Sequence, residues 1–212
     1  MKRWLAAAIV ATATASACSV GGGEGSVTGS LVVPVCEADL SQFDMRPDFF
    51  AGMAVSARNP PLTQLNIRIQ KGGDIQEYSD SLSIAVSDTS KVQDGVPIEV
   101  KLFRPPGSAP SVPYPLVRMS LTLRKSCGNG RVGPSDPNAV VLHAVSGTIT
   151  FTHILRGDPV DADTNDKRIE GSFDVVLEDP RHAEGEPATS YGKLQGNFKF
   201  FYQRGGPAQP FP

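Results

Sequence analysis

The densest set of chemically capable side chains in this sequence is an acidic run, Asp158-Pro-Val-Asp161-Ala-Asp163-Thr-Asn165-Asp166. Calcium takes about six to eight oxygen ligands, and alternating Asp and Asn side chains on a tight loop can supply several. Asp161-x-Asp163-x-Asn165 has the spacing that opens a helix-flanked calcium loop. The match then stops: Asp166 stands where that loop turns on Gly, and Ser172 where it closes on Glu. Asp, Asn, Pro and Thr are also ordinary turn formers. The run is therefore expected to be a polar inter-strand loop. Asp158, Asp161, Asp163, Asn165 and Asp166 are its candidate metal set, and calcium is the ion that would suit them.

Nucleophiles and bases are sparse. The histidines are His143, His153 and His182, and His153 falls in phase with Ile149 and Phe151, as a satisfied histidine at a sheet border would. No His-Glu-x-x-His, Gly-x-Ser-x-Gly or phosphate-cradling glycine loop occurs. Ser126-Cys127 and Ser190-Tyr191 lack local triad context. Triads are defined by geometry and not by chain position, so a site assembled from distant strands stays open.

The N-terminus carries an address. Lys2 and Arg3 precede the apolar stretch Leu5 to Ala13, and Ala15-Ser16-Ala17 supplies small residues before Cys18; this is the layout of a secretory signal. The stretch is shorter than the ~20 apolar residues of a permanent spanning helix. The segment resembles the lipobox of bacterial lipoproteins, with Ala15 where that motif carries Leu. The resemblance implies that residues 1–17 are removed and that Cys18 is diacylated, with fatty acids such as palmitate, and anchors the chain. Ser19 in place of Asp implies the outer membrane. Residues 18–26, rich in Gly, then suit a flexible tether. With Cys18 acylated, two thiols remain in an oxidising compartment, and Cys36 and Cys127 are expected to pair as a structural disulfide. No Cys-x-x-Cys spacing or neighbouring His marks either as redox-active.

Composition narrows the rest. The formal net charge is −2, and loss of Lys2 and Arg3 makes the mature chain more acidic; that balance argues against nucleic acid as a partner. The length suits one sizeable domain, expected at 27–204 with a tail at 205–212. Glycine (21) and proline (18) interrupt the chain so often that long helices have little room.

The elements that must position these groups read as strands. Ser26–Cys36, Phe49–Ser56, Leu65–Gln70, Ser81–Ser87, Pro97–Phe103, Leu116–Arg124, Ser146–Leu155, Arg168–Leu177 and Lys193–Phe201 alternate apolar and polar residues or run apolar. The segment 40–58 is ambiguous between strand and helical turn. The proline-rich run 104–115 cannot lie inside a sheet and is expected to be a connection, or a polyproline ligand for a partner. Gly171 and Gly196 each sit two residues before a Phe, where the missing side chain can admit a neighbouring ring or a bulge. The expected fold is an all-β antiparallel sandwich of nine or ten strands. An outer-membrane barrel would also alternate, but it would show aromatic girdles.

The closing Gly-x-Phe strands are similar to those of many β-rich bacterial lipoproteins, which implies no activity. The leading expectation is a non-catalytic, lipid-tethered envelope module, binding an envelope protein or glycan through loops 104–115 and 158–166 or serving as a structural part. The second is an envelope hydrolase or carbohydrate-active enzyme on the same scaffold.

Overall fold

The structure, a computed structural model, describes residues 23–58, 61–72, 79–101, 115–127, 140–157, 167–181 and 187–202. Cys18, His182, all but Pro115 of the 104–115 run, all of 158–166 and the tail lie outside them. Ten strands form: β1 Gly23–Val32, β2 Phe43–Met45, β3 Phe49–Arg58, β4 Pro61–Gln70, β5 Ser81–Val86, β6 Pro97–Glu99, β7 Val117–Leu123, β8 Val140–His153, β9 Arg168–Glu178 and β10 Tyr191–Phe201. The only described helix is a 3-10 turn, Thr89–Lys91, opened by the Asp88 carboxylate accepting from the Ser90 amide.

The all-β antiparallel class expected from the sequence is what the chain forms. The strands belong to one curled sheet, a half-barrel, where alternation alone leads one to expect two stacked sheets. The order is β2-β1-β10-β9-β8-β7-β5-β4-β3, with β6 paired to β8. Alternation reports which face of a strand is apolar; it carries no mark of where a sheet ends. Most neighbours in the sheet are neighbours in sequence. β5 pairs with β7 and β6 with β8, each skipping one strand, and the long-range pairing is β1 with β10, which joins Gly23–Val32 to Tyr191–Phe200 and the two ends of the described chain.

The first strand begins at Gly23, inside the segment expected to be tether, and stops at Val32 just before Pro34, which has no N–H for the ladder. β8 begins at Val140, six residues before the expected start. Val140, Leu142 and Ala144 face the core, then a bulge at Val145 shifts the register, and Gly147, at φ 114, continues the strand with Ile149 and Phe151 inward. The apolar phase changes from even to odd residues there, which breaks the period a sequence reader follows.

The core lies on the concave face, where Leu65, Ile67, Leu82, Ile84, Leu121, Leu142, Val175 and Leu177 are fully buried. Phe173 faces Gly196 across β9 and β10, and Phe198 faces Gly171. Each ring lies over the partner strand's glycine: a Cβ on Gly196 would meet Phe173 Cζ at 2.7 Å, and one on Gly171 would meet Phe198 Cζ at 2.9 Å. One end of the curl is tied by the disulfide between Cys36, after β1, and Cys127, after β7, with Cα atoms 4.5 Å apart.

Candidate functional site

With the proline-rich and acidic loops outside the described residues, the convex face of the sheet is where polar chemistry gathers. Cross-strand register sets Arg68 of β4 beside Ser83 of β5, then Ser120 of β7, His143 of β8, Glu178 of β9 and Tyr191 of β10. One row of the sheet thus carries a guanidinium, two hydroxyls, an imidazole, a carboxylate and a phenol. Strand alternation places all six opposite the core.

Part of this row is buried although it faces away from the core. Arg68 is only 7% exposed, and Gln70, Ser81 and Thr122 in the next row are buried as well. Burial holds the Arg68 guanidinium below its usual pKa, and repulsion from nearby Arg124 adds to the effect. His143 is half-buried. Loss of water pushes its pKa down, the Asp179 carboxylate opposes that shift, and Arg118 reinforces it. The imidazole is therefore a neutral donor and acceptor near pH 7. Asp179 is itself held below the ordinary carboxylate range, first by its hydrogen bonds to Arg181, which approaches to 2.7 Å.

Ser120, His143 and Glu178 are the residue types of a nucleophile, base and orienting acid. A triad and its oxyanion donors must converge on one reacting atom about 3 Å away. A register row instead spreads its members at the strand spacing of about 4.8 Å. What the row offers most directly is recognition: donors, acceptors and both signs of charge on a rigid surface.

A second polar centre is structural. The Asp80 carboxylate, 7% exposed, accepts from the backbone amides of Arg124, Lys125 and Ser126 at 2.9–3.1 Å and from the Ser126 hydroxyl at 2.5 Å. It thereby closes the turn that presents Cys127.

The pairing of Cys36 with Cys127 is present. His153 departs from the position its phase suggests. A second bulge, between Phe151 and His153, turns it to the convex side opposite Glu170, 3.6 Å from that carboxylate and half exposed. Among the described residues no group of three or more His, Cys, Asp or Glu could hold a metal ion, and no helix is long and apolar enough to cross a membrane. The candidate metal residues 158–166 are not among those described. Arg68, Ser120 and Glu178 escaped the sequence reading because single-strand periodicity gives a face but no register. Compared with protein-family models, curated proteins and solved structures, the chain matches none.

Proposed function

We propose that this protein is a lipid-anchored, non-catalytic module of the cell envelope, held at the outer membrane through Cys18 and binding or supporting another envelope component, a protein or a glycan. The observation that carries this reading is the use of the cysteines. Of three in the chain, Cys36 and Cys127 are bonded to each other across the domain, as suits an oxidising compartment. Cys18 is left over, directly after a signal-like segment. The convex polar row, with donors, acceptors and both signs of charge, supplies a surface for a partner.

The test is the mature N-terminus and its location. Mass spectrometry of protein from its own cells is expected to find a diacylated Cys18 as the first residue, and Cys18→Ser is expected to leave the membrane fraction. A non-acylated mature chain, or tight membrane association of the Ser variant, would count against the anchor. Cross-linking in the intact envelope then identifies the partner.

The alternative of an envelope hydrolase or carbohydrate-active enzyme draws on the adjacency of Ser120, His143 and Glu178. Labelling by a serine-directed fluorophosphonate, abolished in Ser120→Ala with the fold intact, would favour it over the binding module.

A further inference from the structure

The described exposed large apolar side chains are Val32, Val35, Met53, Val55, Val96, Tyr191 and Phe201. Two sets of them lie toward opposite ends of β1. Val32, Val35 and Tyr191 sit toward the disulfide end, where Val32 pairs with Tyr191. Phe201 sits at the other end, one residue beyond the Phe200–Gly23 pair that begins β1. Met53 and Val55 lie at the same end on β3, where Gly52 packs inward: a Cβ on Gly52 would meet Tyr202 Cδ2 at 3.3 Å and Phe200 Cε2 at 3.4 Å. Alternation then turns Met53 and Val55 outward on β3 and Phe201 outward on β10, on opposite sides of one rim.

Chain length separates the two ends. Cys18 precedes Gly23 by five residues, and five residues span at most about 18 Å. From Gly23, β1 carries the chain roughly 30 Å away at about 3.4 Å per residue. A bilayer holding Cys18 is thus within reach of the Gly23 end, and the disulfide end lies a strand length beyond.

Resting on the anchoring reading above, we infer that the Gly23 end of the half-barrel is a membrane-contact surface. Phe201 enters the headgroup and upper acyl region from one side of that rim, and Met53 and Val55 from the other. Phe201 is 53% exposed, more than a large aromatic gains from pointing into water, and an interfacial lipid layer accepts such a ring. Its cross-strand partner Arg168, which is ion-paired with Glu170, and the preceding Lys167 place cations beside it at the depth of lipid phosphates. Glu24, Lys199 and Glu170 form the next row inward, a set of both signs with one carboxylate in excess. The disulfide end, with Val35 and Tyr191, then points away from the bilayer and stays free for an envelope partner.

The chain's only tryptophan, Trp4, lies in the signal segment, so a new one reports without background. Acylated protein carrying Phe201→Trp, Met53→Trp or Val35→Trp is reconstituted into phosphatidylethanolamine–phosphatidylglycerol vesicles with brominated acyl chains. Flotation on a density gradient checks anchoring, and far-UV circular dichroism checks the fold. Phe201→Trp and Met53→Trp are expected to be quenched several-fold more strongly than Val35→Trp. Protein that floats but shows equal quenching at all three sites, or strongest quenching at Val35→Trp, overturns the contact surface and leaves the anchor standing. Folded protein that fails to float overturns the anchor and this inference with it.

Discussion

The rings of Phe50 on β3 and Phe200 on β10 stack with centroids 6.1 Å apart, although six strand-to-strand steps separate their strands along the sheet. In a flat sheet those steps would cover about 29 Å. Twist of about 20–25° per step, accumulated over six, swings β3 round until it faces the strands at the other end. Its path there runs across them. A Cβ on Gly23 of β1 would meet the Phe50 ring at 2.7 Å, and two residues on, a Cβ on Gly52 would meet Tyr202, Ile169 and Phe200. The concave face is closed at this end by a crossing strand in place of a second sheet.

Phe50→Ala should therefore cost more than an ordinary edge-strand truncation. A buried Phe→Ala change costs about 3–5 kcal/mol, and this one also removes the contact that holds the crossing strand down. Urea unfolding should show a lower midpoint, and amide exchange should quicken in β3 before β8 or β9. Uniform exchange across the sheet would contradict the crossing-strand account.

The reciprocal glycine–phenylalanine pairs give a second expectation. Gly196→Ala would set a methyl against the Ser26 carbonyl oxygen on β1 and against the Phe173 ring, and overpacking of this kind costs about 1–3 kcal/mol. Phe173→Leu in the same chain should recover part of the loss, so that a double-mutant cycle returns a coupling between positions 173 and 196. Strict additivity would mean that the cost falls wholly on the Ser26 backbone and none of it on the ring.

Those pairs were half legible in the sequence. The repeated Gly-x-Phe and the alternation of β9 and β10 mark the face and the room for a ring, and antiparallel register supplies the partner. The same holds for β4, β5 and β7, whose apolar faces follow directly from period two. The bulges of β8 hid its first six residues, and three-residue β2 is too short to show a period. The Phe50–Phe200 contact depends on accumulated twist, which no local pattern records. The convex row from Arg68 to Glu178 needs the register of five strands at once. The Cys36–Cys127 bond was legible only on the expectation that Cys18 is acylated, which would leave two thiols and a single pairing.

Loss of that bond should be costly. It closes a loop whose ends are 91 residues apart, and chain entropy gives about 4–5 kcal/mol for such a length, with measured bridges often delivering less. Cys36→Ser with Cys127→Ser should lower the melting temperature by roughly 10 °C, taking about 2–4 °C per kcal/mol for a domain of this size. An unchanged melting temperature under strong thiol reductant, with free thiols confirmed, would show that the crossing strand alone keeps the curl closed.

Asp80 should protect the bond. Asp80→Ala leaves three turn amides and the Ser126 hydroxyl without their acceptor, at about 1–3 kcal/mol for each buried donor that water cannot reach. Asp80→Asn retains one acceptor oxygen and should fall between wild type and Ala. Because the turn presents Cys127, reduction by dithiothreitol should be faster in Asp80→Ala than in Asp80→Asn, and slowest in wild type. Equal rates in all three would detach the carboxylate from the disulfide's stability.

The pH dependence between neutral and mildly acidic conditions should belong to His143. Its pKa is lowered from 6.5 chiefly by burial, so the unfolded chain takes up the proton first as pH falls. Stability is then highest above about 6.5 and declines as pH drops toward the folded-state value, with the slope set by the proton the unfolded state holds in excess. The shifted carboxylates Asp39, Asp88, Asp94 and Asp179 are lowered from 3.8 and act in the same direction, but only in more acidic solution. Urea midpoints should fall from pH 7 to pH 5 in wild type and stay nearly level over that interval in His143→Gln. An equal slope in the variant would assign the proton elsewhere. A slope of opposite sign in wild type would mean that the imidazole is held charged, by Asp179 and against its burial.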